Sequence, residues 1–564
     1  MQEFITELIG IIKKKKPSKE ELSIIKTRLS KKYRLKKIPT DIEVLLHAPV
    51  RDIGRIRASL LTKPTRTISG VAVCAVMTRP FACPHVKKGI GPCIMCPGGP
   101  SSNFGNVPQS YTGKEPATRR AIRNNYDPYL QVMNRIEQHI VQGHFPDKIE
   151  LIIMGGTFPS FPISYQEGFV TYALKAMNDF SDHFFNAKRF DIVKFKKLFE
   201  LPGDIDDEKR QKRVQSALLA LKNKTINSLE KEQQKNETGN IRCISLVIET
   251  RPDYANKKHA FEMLKLGCTK VELGIQTIYD DVLKNIHRGH TVADSIKATR
   301  TLKDLGFKIN YHMMLGLPKV SEKMDIAALN ALFQSPDFQP DMLKLYPCMV
   351  MKGTKLYDLW KDKKYRPLTT GKAANLIVKL KKNIPDHVRI MRVQRDIPTF
   401  ITEAGVDKTN LRQYVDVIMN RKKIRCRCIR CREPKSVIPK RIIFKEKAYN
   451  ASGGNEFFFS AEDEKKDCIL GFCRMRIPSQ SLRKEITDES ALIRELHVYG
   501  KAAQIGKTGK IQHKGIGKAL VLMAEDKAKV YFRKKMVVIS GIGAREYFRK
   551  LGYRKEGPYM VKKL

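Results

Sequence analysis

Acidic residues are what this sequence has too few of. Its 564 residues carry 58 Asp and Glu against 106 Lys and Arg, a formal net charge of +48. A surplus that large calls for an anionic partner, because self-repulsion works against the compact state. Nucleic acid fits first, since basic side chains displace the counterions condensed on it. Long apolar runs are missing too: no stretch of eighteen apolar residues occurs, so no ordinary membrane-spanning helix is expected. The opening "MQEFITELIGIIKKKKPSKEE" puts its apolar stretch before its lysines, the reverse of a secretory signal. Cysteine is sparse, with twelve in all, and it is clustered, three at 83–96 and three at 426–431. That clustering suits metal or cluster binding in a reducing compartment better than a secreted disulfide framework. The expectation is a soluble, cytoplasmic protein.

What is present divides the chain into four parts. Residues 1–70 read as short helices in a basic module, with Ser18 and Glu21 as a capping box. From 71 to 390, β-branched runs alternate with amphipathic segments. The runs are "VAVCAVM" (71–77), "IELIIM" (149–154), "ISLVIET" (244–250), "KVELGI" (270–275), "FKINYHMML" (307–315) and "MLKLY" (342–346). Helices are expected at 116–142, 255–267, 291–305 and 370–383, with a polar helical insertion at 202–240. This alternation predicts an α/β fold with a parallel sheet and crossover helices. Six strands are too few for a closed eight-stranded barrel, so a partial barrel is expected. Residues 391–440 form a linker, and 441–564 a smaller α/β domain.

In parallel α/β folds, sites form at the carboxyl ends of strands. The first strand runs straight into "CPHVKKGIGPCIMCPGG" at 83–99. Structural zinc needs four protein ligands, and this loop offers Cys83, Cys93 and Cys96, with Cys74 inside the strand as a distant fourth. Three thiolates on a four-iron cube would leave one iron open. An open cluster, zinc and a purely structural loop are the alternatives. The second group, Cys426-x-Cys428-x2-Cys431, points to Zn2+, because soft thiolates this close select it. Cys348 or His312 could supply a fourth ligand.

Near the end, "QHKGIGKALVLMAEDKAKVYF" places Gln512, Gly515 and Gly517 at a helix start. Free backbone N–H groups and the positive helix end make that a pyrophosphate site. It follows "RELHVYG" and precedes "VVISGIGAREYFRKLGY". That order resembles the GNAT acetyltransferase fold, with acetyl-CoA on the loop including Ile516 and Lys518, and Glu495, Leu496, His497 and Val498 beside the pantetheine arm. Tyr547 would then sit near the thioester sulfur as a proton donor, with Phe548 next to it.

Taken together, "CPHVKKGIGPCIMCPGGPSSNFGNVPQSYTGKEP", "MGGTF", "IETRPDY", "VELGIQT", "RGHT" and "LYPCMVMKGT" resemble the catalytic-subunit family of Elongator, nearly continuously from 71 to 564. The spacing Cys83-x9-Cys93-x2-Cys96 is longer than the usual radical S-adenosylmethionine (SAM) spacing and is similar to this family's own. The resemblance implies a radical SAM domain joined to a GNAT domain. It implies a [4Fe-4S] cluster on Cys83, Cys93 and Cys96, and SAM met by Gly155, Gly156, Thr157, Glu272 and Arg288. It also implies that Lys148 contacts acetyl-CoA, so the two domains would share one cleft.

The implied activity is acetyl-CoA-dependent carboxymethylation at C5 of the tRNA wobble uridine. The anticodon stem-loop would be held through the basic module, including Lys13, Lys14, Lys15 and Lys16. Further Elongator-type subunits or a homo-oligomer are implied as partners. Two other readings stay open. One is a protein lysine acetyltransferase with a structural iron–sulfur cluster; the other is a tRNA-binding scaffold with degenerate catalysis.

Overall fold

The computed structural model describes residues 1–564 except 63–69, 205, 226, 435–440 and 500–514. The basic module packs four helices, α1 (Gln2–Lys15), α2 (Lys19–Lys32), α3 (Asp41–His47) and α4 (Val50–Leu60), around Phe4, Ile5, Leu8, Leu29, Val44 and Ile56. The expected capping box forms: Glu21 N donates to Ser18 Oγ at 3.3 Å and Ser18 N to a Glu21 oxygen at 2.7 Å. A second box at Thr40 and Glu43 starts α3.

The first sheet has seven strands: β1 (Ala72–Met77), β2 (Lys148–Met154), β3 (Arg242–Thr250), β4 (Cys268–Gln276), β5 (Lys308–Leu315), β6 (Met342–Pro347) and β7 (Arg389–Arg392). They pair in chain order, every pair parallel, and curl into a half-barrel. The six-strand expectation is therefore corrected. β7 is a four-residue strand, RIMR, too short and too basic to read as a buried run, and it lies across the boundary drawn at 390. A 22-residue helix at Ile163–Phe184 and a 13-residue one at Glu322–Gln334 also escaped the sequence reading. The polar insertion is helical as expected, at Glu208–Lys222 and Leu229–Thr238.

Alternation along each strand divides two environments. On β2, Ile149, Leu151 and Ile153 are fully buried in the core shared with the helix Pro128–Val141, while Glu150, Ile152 and Met154 face the barrel lumen.

A second seven-stranded sheet follows: β8 (Ile443–Ala451), β9 (Gly454–Asp463), β10 (Cys468–Ile477), β11 (Ser490–Val498), β12 (Lys535–Val538), β13 (Arg554–Glu556) and β14 (Tyr559–Lys563), in the order β8-β9-β10-β11-β12-β14-β13. Pairing is antiparallel except between β11 and β12. Helix α5 (Ile516–Val530) packs Leu520, Val521 and Ala524 on this sheet's core. The two sheets approach closely: a Cβ at Gly541 would lie 1.9 Å from the carbonyl oxygen of Ile244, at the start of β3, so no side chain fits there.

Fully buried charges join the sheets. Arg494 of β11 pairs with Asp341 and with Glu456, each at 2.7 Å. Arg476 reaches Asp304 at 2.6 Å, and Lys303 lies 3.5 Å from Glu456 and 3.7 Å from Asp341. Burial pulls the Lys303 pKa down to about 8. Removing one member of such a lattice strands its partners without water. Asp341→Asn should therefore cost roughly 3–5 kcal/mol of stability, read as a lower denaturation midpoint of the full chain. Asp362→Asn, which breaks an exposed pair with Lys364, should change stability by less than about 1 kcal/mol.

Candidate active site

Cys83, Cys93 and Cys96 line a cavity of about 220 Å3 at the carboxyl end of the half-barrel, together with Gly156, Thr157, Glu272 and Arg288. Among the described residues, Cys426, Cys428 and Cys431 bring three Sγ atoms within 4.8 Å of one another, whereas the three loop cysteines form no such group. Around one Zn2+ with bonds of 2.3 Å, sulfurs stand about 3.8 Å apart. The wider set fits a cube whose corners hold the thiolates apart; the tight set fits a single ion.

Two donors already serve the loop sulfurs. Gln109 Nε2 donates to Cys96 Sγ at 2.8 Å, and Arg288 Nη1 to Cys93 Sγ at 3.5 Å. Burial raises the Cys93 thiol, but Arg288 and Arg251 outweigh it and hold the pKa below the ordinary value. Burial pushes Cys83 up. Behind the loop, His85 Nε2 stands 2.7 Å from Asp253, and Arg251 donates to Asp253 at 3.0 Å and to the carbonyl of Arg288. "RPDY", directly after β3, and "RGH", after the short helix Asp280–Asn285, thus brace the cysteine loop.

The glycine pair divides its work. A Cβ on Gly155 would fall 2.1 Å from Thr78 Oγ1, so that glycine is required by packing. Gly156 and Thr157 reach the cavity. Glu272 is held at both oxygens: His312 Nε2 lies 2.7 Å from one, Lys344 pairs with the same oxygen, and Asn310 donates to the other at 3.1 Å. Burial opposes its ionisation, but Lys344 and His312 prevail and hold its pKa well below the usual range. Glu249, Glu272 and His312 converge in the manner of metal ligands, yet Lys344 already supplies the cation between the two carboxylates.

Cys426, Cys428 and Cys431 face buried Lys381, whose Nζ is 3.4 Å from Cys431 Sγ. Hydrogen bonds from the Cys426 and Cys431 thiols lower the Cys428 pKa. The set suits Zn2+, with the ammonium balancing the thiolates. Neither candidate fourth ligand joins it: His312 is engaged by Glu272, and Cys348 packs beside Tyr365 in another apolar cluster.

A second cavity, about 1090 Å3, opens at the opposite end of the half-barrel. Its walls combine the strand starts Glu150, Lys270, Lys308 and Arg389 with Glu495, Leu496 and His497 of β11. β12 pairs with β11 over residues 490–493, and past that pairing β11 runs on to Val498 along one side of a wedge. Into this wedge comes the start of α5. Gly515 caps it with φ +81°, and a Cβ at Gly517 would lie 2.7 Å from Tyr547 Oη and 3.6 Å from Val498 Cγ2. Burial raises the Tyr547 phenol to about 12. His497 stacks on Phe472 and meets Tyr499 at a tilt, and burial lowers its pKa to about 4.

Not every expected residue arrives. Phe548 and Ile516 turn into the core of the second sheet. Gln512 lies outside the described residues. Lys518 follows on α5. Lys148 shares the lumen-side face of β2 with Glu150 but is not part of the cavity wall. Lys14, Lys15 and Lys16 are exposed, whereas Lys13 turns to Asp52 and is already paired.

A parallel half-barrel with a three-thiol loop after its first strand defines a radical SAM protein, a class that carries a [4Fe-4S] cluster and SAM. The model described as "Radical SAM superfamily" matches residues 91–331, "Radical_SAM C-terminal domain" matches 340–421, and "ELP3 N-terminal domain" matches 1–68. The chain belongs to the family of tRNA uridine(34) acetyltransferases and Elongator complex protein 3. It is 44% identical to the tRNA uridine(34) acetyltransferase of Methanocaldococcus infernus, over 97% of this chain and 96% of that one. With Elongator complex protein 3 of Homo sapiens the identity is 37%, over 96% and 93%. The solved archaeal Elp3 of M. infernus lacking residues 1–46 superposes with a TM-score of 0.70 at 41% identity, covering 88% of this chain and 100% of that one.

Reconstituted without oxygen, the protein should take up iron and sulfide in equal amounts. Cys83→Ser, Cys93→Ser and Cys96→Ser should each lose the visible absorption of that cluster. Cys74→Ser, on the helix-facing side of β1, should retain it. Cys428→Ser should lose bound zinc, measured by elemental analysis, and keep the cluster.

Proposed function

We propose that this protein carboxymethylates C5 of the wobble uridine of tRNA, using acetyl-CoA and radical SAM chemistry. The observation that carries this reading is the pairing of two sites on one half-barrel: a three-thiol cavity at its carboxyl end, and a thioester-type wedge of a GNAT-like sheet at its other end. When bound, the cluster and SAM supply a carbon radical able to take hydrogen from an unactivated methyl group. The chain's own residues do the rest. Cys83, Cys93 and Cys96 would hold the cluster through three thiolates, and SAM would be met by Gly156 and Thr157. Arg288 and Gln109 donate to two of the sulfurs and fix the loop's position.

At the wedge, backbone N–H groups of α5 beside Gly515 and Gly517 receive the pyrophosphate. Tyr547, whose phenol stays protonated at neutral pH, would give its proton to the thiolate that leaves on hydrolysis of the thioester. Cys426, Cys428 and Cys431 would hold Zn2+ beside the second cavity. The net charge and the exposed Lys14 to Lys16 suit a phosphate backbone, with the choice of uridine left to the cavity, which an unstacked loop base can enter. Such a substrate places the protein in the cytoplasm.

Purified protein given SAM, reductant, acetyl-CoA and unmodified tRNA without oxygen should yield 5-carboxymethyluridine by nucleoside mass spectrometry. Cys93→Ser should yield none. Tyr547→Phe should lower turnover about 10²-fold, the lower range for loss of a general acid, with SAM cleavage retained. Acetylated lysine on added protein, with tRNA unchanged, would assign the C-terminal sheet to protein acetylation. Binding of tRNA with neither product would make the protein a scaffold.

A further inference from the structure

The two cavities meet at Val73, which lines both. Positions facing the lumen hand over from one to the other on strand after strand. Lys270 lines the second cavity, and Glu272, Gly274 and Gln276 line the first. Lys308 gives way to His312 and Met314, Met342 to Lys344 and Tyr346, and Glu150 to Ile152 and Met154. On most of the wall the handover is filled by ion pairs: Glu150 with Lys270 at 2.7 Å, then Glu272 with Lys344 and His312.

β1 differs. Val71 lines the second cavity, Val73 lines both, and Ala75 lines the first. Val73 is 39% exposed although it sits inside a strand, because its side chain looks into open lumen. Small apolar side chains thus form a lane where the rest of the lumen is plugged by charge. From 71 to 75 the strand rises about 13 Å.

We propose that this lane along β1 is the passage by which the acyl end of a CoA thioester, anchored at the second sheet, reaches the cysteine cavity. The inference rests on the acetyl-CoA reading above. Val73 and Ala75 are its lining, and Ile152 forms the facing wall. A neutral, flexible acyl-pantetheine arm can lie along this apolar lane, while the ion pairs keep the walls from collapsing onto it. The charged nucleotide end stays outside, held at α5. The arrangement brings a methyl group to the radical-generating end without opening that end to the solvent around the CoA site.

The test uses the cluster-loaded full chain, in which Cys83, Cys93 and Cys96 are occupied. Val73→Cys and Ala75→Cys each place one thiol in the lane. Bromoacetyl-CoA carries an electrophilic carbon where the acetyl methyl would be; thiolate sulfur displaces bromide and forms a carbon–sulfur bond. Both variants should be alkylated at the new position at least about tenfold faster by bromoacetyl-CoA than by bromoacetamide, since docking makes the reaction effectively intramolecular. Excess acetyl-CoA should protect, and peptide mass spectrometry reads the site.

Equal rates with the two reagents, or no protection, in variants that still bind CoA by calorimetry would overturn the passage and leave the proposed function standing. Absence of CoA binding in the wild-type chain would remove the acetyl-CoA reading and the passage with it. Two small substitutions at different depths guard against one misfolding.

Discussion

The buried charges between the two sheets set the geometry on which everything else depends. Arg494 is held by Asp341 of the half-barrel and Glu456 of the second sheet, and Arg476 by Asp304 and Glu456. None of these side chains has access to water. Such pairs add little net stability relative to a well-packed apolar contact, because desolvation offsets the attraction. They do punish displacement, since a slip of a few ångströms leaves a charge unpaired in a medium that cannot solvate it. An apolar interface would tolerate rotation. This one fixes the wedge of β11 against the starts of β3, β4 and β5, so the second cavity has one shape.

The same logic runs through the half-barrel lumen. A lumen of apolar side chains would close, as barrel interiors usually do when filled by branched residues. Here Glu150, Lys270, Glu272, His312 and Lys344 are paired and must remain so. Paired charges link strands from β2 to β6 across the lumen face, and β1 has no part in them. The partition is therefore polar where it must be rigid and apolar where something must move. Glu272 shows how the network limits assignment: both its oxygens already accept bonds, from His312, Lys344 and Asn310, so any contact it makes with a ligand is shared with them.

Much of this was legible beforehand, for identifiable reasons. Parallel strands buried on one face leave strong β-branched runs, which is why β1 to β6 could be placed and the three-thiol loop assigned to a strand's carboxyl end. β7 could not, because Arg389 and Arg392 face polar partners and the strand is only four residues long. The helix Ile163–Phe184 was missed because it is apolar on several faces, with Phe169, Val170, Leu174, Met177 and Phe180 all buried, so no simple stripe marks it. The lattice between the sheets was invisible: Asp304, Asp341, Glu456 and Arg494 are far apart along the chain, and a charged residue in a sequence reads as surface until its partner is known. Lys13 misled in the opposite sense, as one lysine of a run that turns back to Asp52.

The two cysteine groups make the final point about what spacing in sequence can specify. Both offer three thiols over a short stretch, and each alone is ambiguous between zinc and an iron–sulfur cube. Folding separates them by distance. The short C-x-C-x2-C stretch is pinned by Ile429 N donating to Val388 O and by Cys431 N donating to Cys428 O. That turn gathers the sulfurs to the span of one ion, with Lys381 balancing their charge. The longer loop is braced from outside, by Arg251 and His85 against Asp253 and by Arg288 and Gln109 at the sulfurs. Its thiols stay apart around a cavity, as the corners of a larger inorganic body require. Chain spacing sets how far apart the sulfurs can lie; the bracing residues decide how far apart they do lie, and hence which metal chemistry each group can hold.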